Sequence, residues 1–120
     1  MYDIAIIGRG PAGVSAAINA SIRNKSIVIF GKDSKKVLSS PIIYNYPGIP
    51  SIKGPTLAEK LHEHLITTNA ILSIKHISAI YSMGDSFTIQ AEDEMIEAKT
   101  VILTVGVNFK KSIEGEDVFL

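Results

Sequence analysis

The residues of this 120-residue chain whose types and spacing could do chemistry stand together near its start, in Gly8-Arg9-Gly10-Pro11-Ala12-Gly13. A Gly-x-Gly-x-x-Gly turn offers no nucleophile and no base; its chemistry is the holding of phosphate. Gly8 makes the tight turn, Gly10 lets a pyrophosphate approach the backbone, and Gly13 lets a helix press closely onto a strand. A helix that starts here points free N–H groups and a positive dipole end at an anion. Pro11 suits that start, because a missing N–H costs little in a first turn. Gly8, Gly10, Pro11, Ala12 and Gly13 are therefore candidate cofactor-binding residues. No side chain is a credible catalytic acid, base or nucleophile; Ser15 falls inside the helix and reads as packing or backbone hydrogen bonding. Cysteine is absent, so the chain itself brings no disulfide, thiolate metal site or thiol redox chemistry. His62, His64 and His76 show no metal-ligand spacing.

The turn needs particular elements around it, and they are present. Tyr2 to Ile7 is a short apolar run fit for a buried strand, Val14 to Asn24 reads as a helix, and Ser26 to Phe30 is a second β-branched run that closes a βαβ unit. Ala16, Ala17 and Ala20 are small, as a helix lying close on a sheet requires. One part is missing. The fingerprint wants an acid at the end of the second strand to accept from a ribose hydroxyl, and Gly31 stands there, followed by Lys32 and Asp33. Either Asp33 swings back or the ribose is held by backbone and water; Gly31 and Lys32 are the candidates at that end. Lys32 and Lys35 read more readily as a solvated basic loop than as phosphate ligands.

Apolar content of 46% and charged content of 20% describe a globular chain with enough length for one domain and a real core. Twelve basic and twelve acidic residues cancel, which speaks against a nucleic-acid or membrane-surface partner. No apolar run approaches the ~20 residues that span a bilayer. The start lacks a basic n-region, and Asp3 and Arg9 interrupt its apolar stretch, so the expected location is cytoplasmic.

Gly31 to Ile52 is a long connection without clear periodicity. Ile42 to Gly48 within it is apolar enough to pack, and Tyr46-Pro47-Gly48 is a turn signal. Gly54-Pro55-Thr56 opens a helix striped by Leu57, Leu61 and Leu65. His62 and His64 lie on different sides of it and read as solvated faces. Ile71 to Ile74 is a third parallel strand. Ile77–Met83, Ser86–Gln90 and Met95–Ala98 form an antiparallel meander around Gly84-Asp85 and Glu92-Asp93. Thr100 to Thr104 is then a further buried strand, ending at Gly106, where a ligand can approach the backbone. The fold class is α/β: a Rossmann-like domain with a parallel sheet and an inserted three-stranded antiparallel meander. Such a meander is unusual in a plain nicotinamide-binding domain and familiar in FAD-binding ones.

Tyr2-Asp3-Ile4 through Gly13, Asn45-Tyr46-Pro47-Gly48, and Gly54-Pro55 with its leucine-striped helix together resemble the bacterial low-molecular-weight thioredoxin reductases, over nearly the whole chain. The resemblance implies FAD as cofactor, with its pyrophosphate on the glycine turn and Asn45 against the flavin. Gly106, in Thr104-Val105-Gly106, matches an Ala-Thr-Gly block beside the cofactor. Ser112 to Leu120 resembles the stretch leading into the nicotinamide domain, with Glu114-Gly115-Glu116 near a Pro-Gly-Glu. Departures accompany it: a flavin-wrapping Gly-Gly-Gln-Leu is here Lys35-Lys36-Val37-Leu38, the acidic ribose ligand is Gly31, and the threonine of Ala-Thr-Gly is Val105. They resemble a flavin-dependent branch that draws electrons from a donor such as ferredoxin rather than NADPH.

In that family the redox Cys-x-x-Cys, the nicotinamide domain and the closing FAD segment lie beyond the length of this chain. Residues 1–120 are thus expected to be a partial FAD-binding domain, inactive alone, from a truncated reading frame or a split gene. The alternative is a non-catalytic nucleotide-binding module completed by a second chain or domain.

Overall fold

The computed structural model describes residues 1–106. Tyr2–Ile7 (β1), Pro11–Ile22 (α1) and Ile27–Phe30 (β2) form the expected βαβ unit. The helix begins earlier than Val14, because Pro11 already occupies its first turn, and ends before Asn24, which sits at φ 58, a left-handed conformation that asparagine tolerates. Lys35–Ser39 (α2) follows inside the long connection, capped by the Ser34 hydroxyl accepting from the Val37 N–H at 3.3 Å. Tyr46 and Ile49 bridge across the turn at Pro47-Gly48. Gly54–Leu65 (α3) starts directly on the end of α2, the Gly54 N–H donating to the Ser40 carbonyl at 3.0 Å. Ile71–Ser73 (β3), Ile77–Ser82 (β4), Phe87–Ala91 (β5) and Glu94–Leu103 (β6) complete the described residues.

All six strands join one sheet in the order β3-β2-β1-β6-β5-β4. β1, β2 and β3 are parallel, as is β6 to β1; β4, β5 and β6 make the antiparallel meander. The meander's third strand and the last parallel strand are one element. Glu94 to Ala98 pairs with β5, and Ala98 to Leu103 pairs with β1 on the opposite edge. Nothing between Ala98 and Thr100 breaks an extended chain, so the two runs read as separate strands are continuous. Beyond Ala98 the edge of β6 facing away from β1 has no strand partner among the described residues.

Side-chain alternation divides the core. Ile6, Ile27 and Ile29 face Val14, Ala17 and Ala20 of α1 and Leu65 of α3. Ala5, Ile7, Val28 and Phe30 face the other way and pack with Ile77, Ile89, Ala91 and Ala98 of the meander. The start of β1 is fastened by Asp3, whose Oδ2 accepts from the Ser26 N–H at 2.8 Å and from the Ser26 hydroxyl at 3.1 Å, with Lys99 Nζ 3.4 Å from Oδ1. The backbone bond from Ser26 chiefly, then its hydroxyl and Lys99, hold the Asp3 carboxyl below its ordinary range. Its folded-state pKa is depressed, so its stabilisation is present at neutral pH and is lost as pH falls through that value. Asp3→Asn is expected to be less stable than the parent at pH 7, the difference shrinking in acid; urea unfolding at a series of pH values checks this, and a pH-independent difference would contradict it.

Candidate dinucleotide site

The glycines of the turn divide by what requires them. Gly8 has φ +112, and a Cβ there would overlap the Thr104 carbonyl oxygen. A Cβ on Gly13 would overlap the Gly8 carbonyl oxygen and lie 2.9 Å from Thr104 Oγ1. Those two are glycines because the ends of β1 and β6 and the start of α1 meet there. Gly10 differs: among the described residues a Cβ there would meet only Ser34, at 3.5 Å, an ordinary contact. Its own packing does not require glycine.

Gly10 is also the N-cap of α1, offering no side chain to cap it, and no acid stands in the first turn. Pro11 has no N–H, and the Val14 N–H is taken by the Gly10 carbonyl at 3.0 Å. The N–H groups of Ala12 and Gly13 are left without a side-chain cap at the positive end of the helix, the arrangement that binds an anion.

Thr104 completes the underside of the turn. Its N–H donates to the Ile7 carbonyl at 2.8 Å, and its hydroxyl lies 3.0 Å from the Ile7 and 3.3 Å from the Gly8 carbonyl oxygens. Thr104→Val keeps the shape and deletes the donor, and is expected to cost about 1 kcal/mol. Thermal unfolding measures it; an unchanged Tm would show the hydroxyl idle.

The second strand's end explains its missing acid. Gly31 sits at φ +139, its N–H donating to the Ser73 carbonyl at 2.9 Å, and a Cβ there would stand 3.1 Å from the Arg9 nitrogen. Backbone conformation and the nearness of the turn demand glycine. Asp33 pairs with the turn: its Oδ1 accepts from Arg9 Nη2 at 3.1 Å, with the Asp33 and Arg9 side chains 39% and 12% exposed.

The structure thus gathers Gly8, Gly10, Pro11, Ala12, Gly13 and Gly31 with Thr104, Arg9 and Asp33. Lys32, Asn45 and Gly106 are exposed; Asn45 lies beside the Tyr46-Pro47-Gly48 turn, and Gly106 takes φ +70 with none of the described residues within 4 Å of where a Cβ would stand. The expectations for 107–120, including Glu114-Gly115-Glu116, lie outside the described residues. His62 corrects its reading as a solvated residue: its Nδ1 is buried. Arg9, Thr104 and His62 were not singled out as site residues. A cation between two motif glycines with one nearby acid was the available signal for Arg9, and the four-residue spacing from Ala58 was that for His62.

A Rossmann-type βαβ unit with an antiparallel meander defines the class. Residues 2–119 match the pyridine nucleotide-disulphide oxidoreductase family, to which the chain belongs. The similar proteins are thioredoxin reductases: that of Mycoplasma genitalium is 31% identical over 123 residues, covering 99% of this chain and 39% of the relative. That of Bacillus subtilis is 32% identical over 119 residues, covering 97% and 38%. Among solved structures, a ferredoxin-flavin thioredoxin reductase from Clostridium acetobutylicum matches with TM-score 0.85 at 49% identity, over 99% of this chain and 42% of that one. The Streptococcus pyogenes thioredoxin reductase matches with TM-score 0.85 at 38% identity, over 92% and 37%. The chain therefore spans less than half the length of these relatives. It corresponds to their FAD-binding region, and FAD is the cofactor of the family. Among the described residues no helix is long and apolar enough to cross a membrane.

Proposed function

We propose that the glycine turn and the start of α1 hold the pyrophosphate of FAD for a thioredoxin-reductase-like flavoprotein oxidoreductase. Gly10 carries this reading: it is glycine where the described residues leave room for a Cβ, as close approach of a phosphate requires. Ala12 and Gly13 donate their N–H groups, Gly8 shapes the turn, and Gly31 lets the end of β2 lie against it. Asn45 and Gly106 approach the flavin side, and Lys32 stands near the ribose end. Bound there, FAD would supply the electron transfer, while the chain binds and orients it.

The electrons pass to a disulfide that this chain, with no cysteine, does not contain. The likeness to a ferredoxin-flavin thioredoxin reductase at 49% identity supports a ferredoxin-like donor. Residues 1–120 act as the first segment of the FAD domain. The edge of β6 after Ala98 has no strand partner among the described residues, which supports pairing there with a further segment of the protein or with a second chain.

Purification and visible absorption test the reading. The 120-residue chain is expected to bind added FAD, with a Kd weaker than about 1 μM, and to lose it on gel filtration. A well-folded chain that ignores added FAD would overturn the cofactor assignment. Stoichiometric retention through the column would show that no further segment is needed for tight binding.

A further inference from the structure

Between the glycine turn and α3 lies a partly open cavity of about 10 Å³, bordered by Gly10 and Pro11, whose polar wall is Arg9, Asp33, Ser34 and His62 and whose apolar wall includes Val14 and Leu65. Two buried side-chain atoms have no protein hydrogen-bond partner among the described residues, Arg9 Nε and His62 Nδ1. Both residues border this one cavity. Arg9 Nε–H can only donate, and His62 Nδ1 accepts when the ring proton is on Nε2. The Ser34 oxygen already accepts from the Val37 N–H at 3.3 Å, which leaves its hydroxyl proton to donate. The volume suits about one water and nothing larger.

We propose that one water in this cavity joins His62 to Arg9, making His62 the positioning residue for the guanidinium beside the glycine turn. The water accepts from Arg9 Nε–H and from the Ser34 hydroxyl and donates to His62 Nδ1, three bonds in all, as a buried water typically makes. The guanidinium's other bond, Nη2 to Asp33 Oδ1 at 3.1 Å, continues the chain from α3 through the turn to the loop after β2. Arg9 is thereby held on the α3 side of the turn, and Asp33 is neutralised while its second oxygen stays available. The consequence for FAD rests on the reading above; the hydrogen-bond chain does not.

Nitrogen-15 NMR on the full 120-residue chain without FAD tests it. The expected result is His62 in the Nε2–H tautomer with Nδ1 accepting. Arg9 Nε–H should exchange with solvent at least about tenfold more slowly than that of the exposed Arg23, as a buried, bonded N–H does. His62→Phe should abolish the slow exchange, and His62→Gln, whose Oε1 can accept, should restore it. His62 with its proton on Nδ1, or Arg9 exchanging as fast as Arg23, would overturn the proposal in the parent protein alone, whatever the variants do. In FAD titrations His62→Phe should bind about tenfold more weakly than the parent, with His62→Gln close to it; equal affinity of His62→Phe and parent would overturn the positioning role. A parent that binds no FAD but shows the NMR signature would refute the FAD reading and leave the hydrogen-bond chain standing.

Discussion

Gly13→Ala is expected to destabilise the chain by about 3 kcal/mol, at the upper end of the usual cost of overpacking. The added methyl would overlap the Gly8 carbonyl oxygen and press on Thr104 Oγ1 at 2.9 Å. Neither neighbour is free to yield. Gly8 is tied by its N–H to the Phe30 carbonyl at 2.8 Å, and Thr104 by its N–H to the Ile7 carbonyl at 2.8 Å. The clash therefore falls on the junction of three strands and a helix rather than on a flexible side chain. Native domains are stable by only about 5–15 kcal/mol, so this one carbon removes a large share. Urea unfolding should show a lower midpoint with the slope retained. Gly10→Ala is the control, expected within about 0.5 kcal/mol of the parent, because its methyl meets only Ser34 at 3.5 Å. Equal stability of Gly13→Ala and Gly10→Ala would contradict the division of the glycines into structural and ligand-facing positions.

The second large effect is the converse, a loss of binding with the fold kept. Gly10→Val places a branched side chain at the N-cap of α1, where Gly10 has φ −83 and ψ −167, an extended conformation that any residue adopts. The new carbons occupy the approach that a pyrophosphate needs to reach the Ala12 and Gly13 N–H groups. FAD affinity is expected to fall about 100-fold or more, equivalent to about 2.7 kcal/mol, while circular dichroism and the unfolding midpoint stay close to those of the parent. A variant that unfolds would place Gly10 with Gly8 and Gly13 as a structural glycine, against the ordinary 3.5 Å contact with Ser34 that a Cβ there would make.

Much of the fold could be read from local patterns. The apolar runs of β1 and β2, the Gly-x-Gly-x-x-Gly turn and the leucine stripe of α3 each declare themselves within a dozen residues. What was not legible depends on pairs distant in the chain or on elements too short to show a period. α2 spans five residues, less than two turns, so no periodicity could announce it. The continuity of β6 was hidden because its antiparallel and parallel partners lie on opposite edges, whereas a sequence pattern records only faces. Arg9 and Asp33 are 24 positions apart, and Thr104 is 97 from the carbonyl of Ile7 that its hydroxyl meets. The empty acidic position at Gly31 looked like a weakness in ribose binding. Its cause lies in φ +139 and the Arg9 backbone 3.1 Å from where a Cβ would stand. The chain passes too near the turn, in too strained a conformation, for a larger residue. Asn45 and Gly106 remain placed by resemblance, on exposed stretches, and their roles beside the flavin are part of the proposal.

An equilibrium titration of FAD fluorescence anisotropy with the parent and with Gly10→Val decides whether this chain's glycine turn grips the phosphates of FAD. Saturable binding by the parent, lost in the equally folded variant, is the expected result. Equal binding by both proteins, or no binding by a folded parent, would contradict it.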